Sequence, residues 1–164
     1  MKPDESGGQV RLAAAIAVGL SVAVPPAAMA QSSAAMPALK WFAPPLLPPG
    51  ARIAVVRGDP TAPGESTLEL SMPDGYRIPP HFHPSFEHVE VRRGTLLVGM
   101  GDRLDPKLTR PLVAGDSATA PAGVHHFSIA QGRTELSVTF MGPYTITYLR
   151  AEDAPRPQNF PFGY

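Results

Sequence analysis

The sequence predicts an all-β protein with a single domain, and three observations support that prediction. Short runs of apolar and polar residues recur between residues 51 and 150. Turns rich in glycine and proline separate these runs, and nothing in the range has the pattern of a long helix. Many short strands divided by turns are typical of a β-sandwich or a β-barrel. A chain of 164 residues has room for one such domain.

The predicted strands follow one another closely along this range. They span residues 53–57, 67–72, 88–92, 95–100, 125–130, 134–140 and 144–148. Gly94 and Gly132 are expected to turn the chain, so that the strands on either side of Gly94 form a hairpin. Leu136, Val138 and Phe140 alternate with polar residues, which predicts that one face of their strand is buried. The strand 144–148 repeats this alternation, with its threonines facing outward.

The segments before and after residues 51–150 have other compositions. Residues 1–30 combine the apolar run 12–24 with an Ala-x-Ala signature at 28–30, which is typical of a signal peptide. Residues 31–50 and 151–164 are rich in proline and are expected to be extended arms. Trp41 and Phe42 in the first arm are expected to dock on the domain surface.

Compartment and partners follow from composition. The signal-peptide pattern predicts a periplasmic or secreted bacterial protein, although the chain has no cysteine for a disulfide. The 14 basic and 14 acidic residues balance. A scattered, neutral charge argues against nucleic acid as a partner, and against a membrane surface once the signal segment is cleaved. We therefore expect a small-molecule substrate or ligand.

All five histidines lie in two short segments, 75–94 and 115–126, together with several candidate carboxylates. Imidazole and carboxylate are the ligands that a divalent transition metal takes when no thiolate is present. Because side chains alternate along a strand, His81 and His83 share one face. The same alternation separates His125 from the adjacent His126, and separates Glu87 from the residue that follows it. One member of each pair can therefore join His81 and His83 at a metal.

The two segments resemble the signature motifs of the cupin superfamily, and in particular those of small single-domain bacterial cupins. The first motif is matched at every position, by Gly75, His81, His83, Glu87 and Gly94. The second is matched by Gly115, Pro121, Gly123 and His126, whereas Ala130 replaces its final asparagine. The resemblance implies a jelly-roll β-barrel that binds one divalent metal ion (Fe, Mn, Ni, Cu or Zn) through His81, His83, Glu87 and His126.

The resemblance implies several functions for this metal site. The first is a small-molecule oxidoreductase of the dioxygenase type, in which the ion chelates an enol or a diketone and Glu87 also accepts a proton. The second is a metal-assisted lyase or isomerase, for which Arg77, on the same strand face as His81, is a candidate cation, although an arginine at the start of a strand is more commonly exposed. The third is a non-catalytic protein of the cell envelope that binds or senses a metal or a small ligand. Small cupins also suggest a homodimer. His88 and His125 are expected to face away from the metal.

Overall fold

The computed structural model describes residues 38–155 and confirms the all-β prediction. Within this range, eight strands account for most of the regular structure, and the helical residues form two short 3₁₀ turns. The strands are β1 (Arg52–Arg57), β2 (Gly64–Met72), β3 (Arg77–Phe82), β4 (Glu87–Met100), β5 (Thr109–Val113), β6 (Ser117–Ala120), β7 (His126–Gly142) and β8 (Thr147–Tyr148), and the 3₁₀ turns are Pro106–Leu108 and Ala151–Asp153. The sequence analysis had not identified β5 and β6.

The hairpin expected at Gly94 and the turn expected at Gly132 are wrong, because each glycine lies inside a long strand. β4 and β7 pair antiparallel along most of their length, with register shifts around Gly94. Gly94 and Gly132 have φ angles of 76° and 71°. A Cβ atom on Gly94 would lie 2.4 Å from the carbonyl oxygen of Arg133. Each glycine instead produces a bulge, which bends the strand without reversing it. A tight turn and a bulge both favour glycine, so the residue type alone does not distinguish them.

Each of the two long strands, β4 and β7, runs through both halves of the fold. The C-terminal half of β7 lies between β2 and the first half of β4, which gives the order β1–β2–β7–β4–β6. The N-terminal half of β7 lies between β3 and the second half of β4, which gives the order β8–β3–β7–β4–β5. All of these pairings are antiparallel. Two five-stranded layers that share two bent strands form a jelly roll, as the resemblance implied.

The core lies on the inner faces of these strands. Leu136, Val138 and Phe140 are 2%, 4% and 0% exposed, which confirms the alternation predicted for this part of β7. They pack with Leu68 and Leu70 of β2 in one hydrophobic cluster. Burying an aliphatic or aromatic side chain of this size contributes about 1.5–3 kcal/mol. These side chains fix the registers that determine which residues point inward near the histidine segments.

The described part of the N-terminal arm packs on the barrel. Phe42 and Ile53 of β1 exchange two backbone hydrogen bonds of 2.9 Å, and Leu47 is buried in the core. The Tyr148 hydroxyl donates a hydrogen bond of 2.9 Å to the carbonyl oxygen of Leu46. Residues 38–50 therefore form part of the wall of the domain and are not a free linker.

The predicted signal peptide, residues 1–30, lies outside the described residues, as do residues 31–37 of the first arm and 156–164 of the second. Within residues 38–155, no helix has the length and apolar character needed to cross a membrane. Export to the periplasm stays a prediction.

Candidate metal centre

Three histidines from separate parts of the sequence converge inside the barrel. His81 of β3 lies opposite His126 of β7 in the strand register, and His83 follows β3 directly. Their ring centroids are 4.3–5.3 Å apart. The three residues are 3%, 3% and 6% exposed, and one nitrogen from each lies within 4.8 Å of the other two. They form a buried group with the dimensions of a metal site.

Backbone carbonyls fix the orientation of all three imidazoles. Each Nδ1 is within hydrogen-bond distance of a carbonyl oxygen, which can only accept, so Nδ1 carries the proton and donates it. The accepting carbonyls are those of Pro79 for His81 (2.7 Å), Thr145 for His83 (2.8 Å) and Val124 for His126 (2.9 Å). In the neutral ring the Nε2 lone pair is then free. This arrangement is typical of histidines that bind a metal through Nε2.

The side chain of Glu87 completes the group from the other half of the fold. Glu87 begins β4, where it pairs with Phe140 of β7. Its two carboxylate oxygens lie 3.5 Å from Nε2 of His83 and from Nε2 of His126. These two buried nitrogens have no hydrogen-bond partner in the part of the chain that the structure describes. Two ligands ~2.1 Å from a common ion lie ~3.0–3.4 Å apart at angles of 90–110°, so the donor set fits a divalent cation.

Burial and mutual charge shift the pKa values of these groups in different directions. Burial, reinforced by the nearby His126, lowers the pKa of His81 to about 4. Burial also opposes ionisation of Glu87 and of His83, but the attraction between the carboxylate and the facing imidazoles is larger. It holds the pKa of Glu87 well below its ordinary value and raises the pKa of His83. The site therefore keeps a carboxylate and a neutral His81 near neutral pH.

Tyr144 is a residue of the site that the sequence analysis missed. Its hydroxyl donates a hydrogen bond of 2.8 Å to Oε1 of Glu87. Its ring stacks on His83, with centroids 5.2 Å apart and an interplanar angle of 25°. Burial, and then the charge of Glu87, raise the pKa of this tyrosine well above its ordinary range. The alternation in residues 144–148 did indicate that Tyr144 faces inward, but a contact with Glu87, 57 residues away, leaves no local signal.

The other two histidines lie away from the cluster. Nδ1 of His88 is 2.8 Å from Oγ1 of Thr119 in an exposed position. Nδ1 of His125 is 2.7 Å from Oδ1 of Asp102, and the side chain of this histidine is 38% exposed. His88 thus lies apart from Glu87, the member of the buried group that precedes it, and His125 lies apart from the buried His126 that follows it.

Arg77 does not share the inward face of His81, and it takes the surface position that is more common for an arginine at the start of a strand. Arg77 is exposed, whereas the adjacent Ile78 is buried in the core. The register of β3 against β7 shifts between Ile78 and His81. This irregularity adds a residue and reverses the parity, so that Ile78 and His81 both point inward. Arg77 therefore does not supply the cation that was considered for a metal-assisted lyase or isomerase.

A small cavity of about 110 Å³ lies against the buried group. Its walls include His81, Glu87, His126 and Tyr144, and most of its other lining residues are apolar. No lysine or arginine lines it among the residues that the structure describes. Pockets for drug-sized ligands are about 300–1,000 Å³, so this cavity has room only for a small group beside the metal ligands.

Solved structures with the same fold establish the architecture. A candidate acetylacetone dioxygenase from Methylibium petroleiphilum superposes with a TM-score of 0.55 over 72% of this chain and 80% of its own, at 16% identity. An RmlC-like cupin from Shewanella frigidimarina gives a TM-score of 0.52 over 63% of this chain and 84% of its own, at 18% identity. The fold is that of the cupins. At these identities the likeness extends to the fold alone.

Curated sequences resemble the chain over part of its length. Oxalate oxidase GF-2.8 of Triticum aestivum is 40% identical over an alignment of 85 positions that covers 46% of this chain and 38% of the oxidase. A germin-like protein of Arabidopsis thaliana, subfamily 1 member 7, is 36% identical over an alignment of 110 positions that covers 60% of this chain and 46% of that protein. The chain thus spans less than half of the length of either relative. No protein-family model matches it.

The departure from the second cupin motif, Ala130, leaves the local hydrogen bonding of the cupin fold intact. Ala130 is 1% exposed in β7. Its backbone N–H donates to the carbonyl of Tyr76 at 2.8 Å, and its carbonyl accepts from the N–H of Gly75 at 2.9 Å. An apolar side chain at this buried position needs no further partner.

Proposed function

We propose that this protein binds one divalent transition-metal ion through Nε2 of His81, His83 and His126 and through the carboxylate of Glu87. The observation that carries the proposal is the convergence of three oriented imidazoles, with a carboxylate 3.5 Å from two Nε2 atoms that have no hydrogen-bond partner among the described residues. Four groups that all present lone pairs to one point repel one another unless a cation lies there. Three nitrogens and one oxygen suit Fe, Mn, Ni, Cu or Zn.

We further propose that the bound ion serves an oxidoreductase that uses dioxygen on a small chelating substrate. The partial sequence similarity to oxalate oxidases supports redox chemistry at this site. When bound, the ion would supply two coordination positions beyond the four protein ligands, enough for a bidentate enolate or for one substrate atom and dioxygen. A tetrahedral zinc ion would be closed by the same four ligands and would serve structure or binding.

The residues of the chain would control protons and water around that substrate. Glu87, held as a carboxylate, would accept the proton that a 1,3-dicarbonyl compound loses when it forms its enolate. Tyr144 would hold Glu87 in place through its hydrogen bond, since the hydroxyl stays protonated. The apolar lining would exclude water and so strengthen the electrostatic interactions in the cavity.

An apolar enolate is the substrate that the cavity favours. An enolate of a 1,3-diketone carries one negative charge and apolar flanks, which suits a lining without lysine or arginine. The net reaction would join both atoms of dioxygen to the products as one carbon–carbon bond breaks, so that acetylacetone and O₂ give acetate and methylglyoxal. The acetylacetone dioxygenase assignment of one structural neighbour concerns a substrate of this kind.

Oxalate is the second candidate, because several of the curated relatives are oxalate oxidases. Oxalate, dioxygen and two protons would give two molecules of carbon dioxide and one of hydrogen peroxide. A dianion in an apolar cavity would depend on the metal charge alone for its neutralisation. We therefore rank oxalate below the enolate.

Oxygen uptake by the metal-loaded full chain tests both candidates. Separate samples loaded with each metal would be given acetylacetone or oxalate, and oxygen, hydrogen peroxide and carboxylic acid would be measured. The proposal expects oxygen consumption without peroxide on acetylacetone. Uptake with equimolar peroxide on oxalate alone would select the second candidate. No oxygen uptake with either substrate, or turnover that continues without oxygen, would contradict the oxidase proposal.

A further inference from the structure

A second and larger cavity of about 620 Å³ lies between the N-terminal arm and the barrel. We call it the arm chamber. Its walls come from the arm, from β1 and the loop that follows it, from the inner faces of β2 and β7, and from the segment 143–145. The proposed metal chemistry does not by itself require this space.

The arm chamber adjoins the metal cavity. Four residues line both of them: Leu47, Leu70, Val138 and Tyr144. Tyr144 connects the two chemically as well, because its hydroxyl donates to Glu87 while its ring forms part of the chamber wall. These shared residues form the wall between the two cavities, so a ligand in the metal cavity that extends toward them would approach the chamber.

The lining of the chamber indicates the chemistry of the ligand atoms that it would hold. Asp59 is the only charged residue among its described lining residues, and its carboxylate accepts hydrogen bonds from the N–H and the hydroxyl of Thr61 at 2.8 and 2.7 Å. The other walls are largely aliphatic side chains, proline rings and the aromatic rings of Phe42 and Tyr144. Flat apolar walls with aromatic edges pack well against an aromatic ring. A volume of 620 Å³ is in the range of pockets that hold drug-sized ligands.

We propose that the arm chamber binds an aryl substituent of the substrate, so that the substrate class is an aryl-substituted 1,3-dicarbonyl compound with its chelating oxygens at the metal. This inference rests on the proposed function and extends it. The metal cavity selects the chelating head, and the chamber selects the apolar group attached to it. Acetylacetone would then be a truncated substrate.

Calorimetric titration of the metal-loaded full chain with acetylacetone, benzoylacetone and dibenzoylmethane tests this proposal. We expect at least tenfold tighter binding of dibenzoylmethane than of acetylacetone, because only the aryl compounds fill the chamber. Equal affinity for all three compounds would overturn the proposal. So would weaker binding of the aryl compounds, since the chamber would then be closed or filled by other parts of the chain.

Two adjacent residues of β1 give a matched pair of variants. Val55 lines the chamber, whereas Val56 is 46% exposed and does not. Val55→Phe should weaken dibenzoylmethane binding at least tenfold and change acetylacetone binding less than twofold, and Val56→Phe should change neither. Leu46→Trp fills the chamber from the arm and repeats the test if Val55→Phe fails to fold. Unchanged dibenzoylmethane binding in a folded chamber variant would overturn the proposal.

A non-chelating probe separates this proposal from the proposed metal function. Benzylacetone has an aryl ring but lacks the second carbonyl group of a chelator. Its binding to metal-free protein should be lost in Val55→Phe and kept in Val56→Phe, even if the protein consumes no oxygen. If benzylacetone does not bind the metal-free protein, or binds Val55→Phe as tightly as the unaltered chain, the chamber assignment is wrong whatever the metal does.

Discussion

The three buried histidines and the two exposed ones differ in their partners more than in their positions in the sequence. His126 directly follows His125, yet its Nδ1 bonds a backbone carbonyl inside the barrel, whereas Nδ1 of His125 faces the exposed carboxylate of Asp102. A backbone carbonyl cannot donate a proton, so it fixes the tautomer and leaves Nε2 free. An exposed side chain can rotate away. The proposed metal site therefore depends on the carbonyl groups that orient the imidazoles as well as on the imidazoles themselves.

Metal removal should give the largest difference in stability between the effects of the buried and the exposed histidines. A chelator should lower the unfolding free energy of the metal-loaded protein by about 4 kcal/mol if the metal is present at 1,000 times its dissociation constant. For a chain of this size that corresponds to a fall in melting temperature of about 10 °C. His126→Gln should show no metal-dependent shift, and His125→Gln should keep the full shift. Calorimetric melting of the three proteins, each with and without metal, checks this, and equal shifts in the two variants would refute the division of the histidines.

Acid should reveal the next largest difference, through His81 in metal-free protein. Its pKa is about 4 in the folded protein, against the ordinary histidine value of about 6.5 in the unfolded chain. The unfolded chain therefore binds more protons between these values, so stability falls as pH drops from 6.5 to 4, by about 3 kcal/mol from this group. His83 opposes this trend, because its raised pKa favours the folded form on protonation.

Urea unfolding of metal-free His81→Gln across this range of pH isolates the contribution of His81. The slope of unfolding free energy against pH gives the number of protons taken up on unfolding. This number should be smaller by close to one in the variant than in the unaltered chain. Val56→Ala, an exposed change that removes no titrating group, serves as the control and should leave the slope unchanged. An unchanged slope in His81→Gln would mean that this histidine titrates normally in the folded protein.

Loss of the Tyr144 hydroxyl should weaken the buried group without abolishing it. Tyr144→Phe keeps the ring that stacks on His83 and removes the hydrogen bond to Glu87. Partners that hold a metal ligand are typically worth 10- to 100-fold in affinity, so metal binding should weaken about tenfold. Competition with a chromophoric chelator measures this, and an unchanged affinity would show that Glu87 needs no such support.

The smallest effects should come from the exposed histidines themselves. His88→Gln and His125→Gln remove exposed contacts with Thr119 and Asp102, and such surface changes are usually within about 0.5 kcal/mol. Urea unfolding of each variant at neutral pH provides the measurement. A loss well above this range in either variant would mean that its contact is part of the folding core.

The sequence predicted the all-β fold class and the residues of the buried group, because strand alternation and motif spacing are local signals. It failed where a single residue changes the direction or the parity of a strand. Gly94 suits a hairpin turn as well as a bulge, and the choice depends on the distant β7. Counting along the strand gave Arg77 the same face as His81, but the register shift before His81 reversed the count, and Arg77 has the surface position that is more common for an arginine. The hydrogen bond of Tyr144 and the arm chamber depend on contacts between distant segments, for which no local pattern exists.

Elemental analysis of purified protein, read beside its single-site variants, tests the central claim most directly. We predict one equivalent of a divalent transition metal in the unaltered chain, in His88→Gln and in His125→Gln, and almost none in a folded His83→Ala. Full metal retention by His83→Ala would contradict the proposed ligand set. Absence of transition metal from the unaltered chain, after purification and after reloading with each candidate ion, would contradict the claim that this cupin fold holds a metal at all.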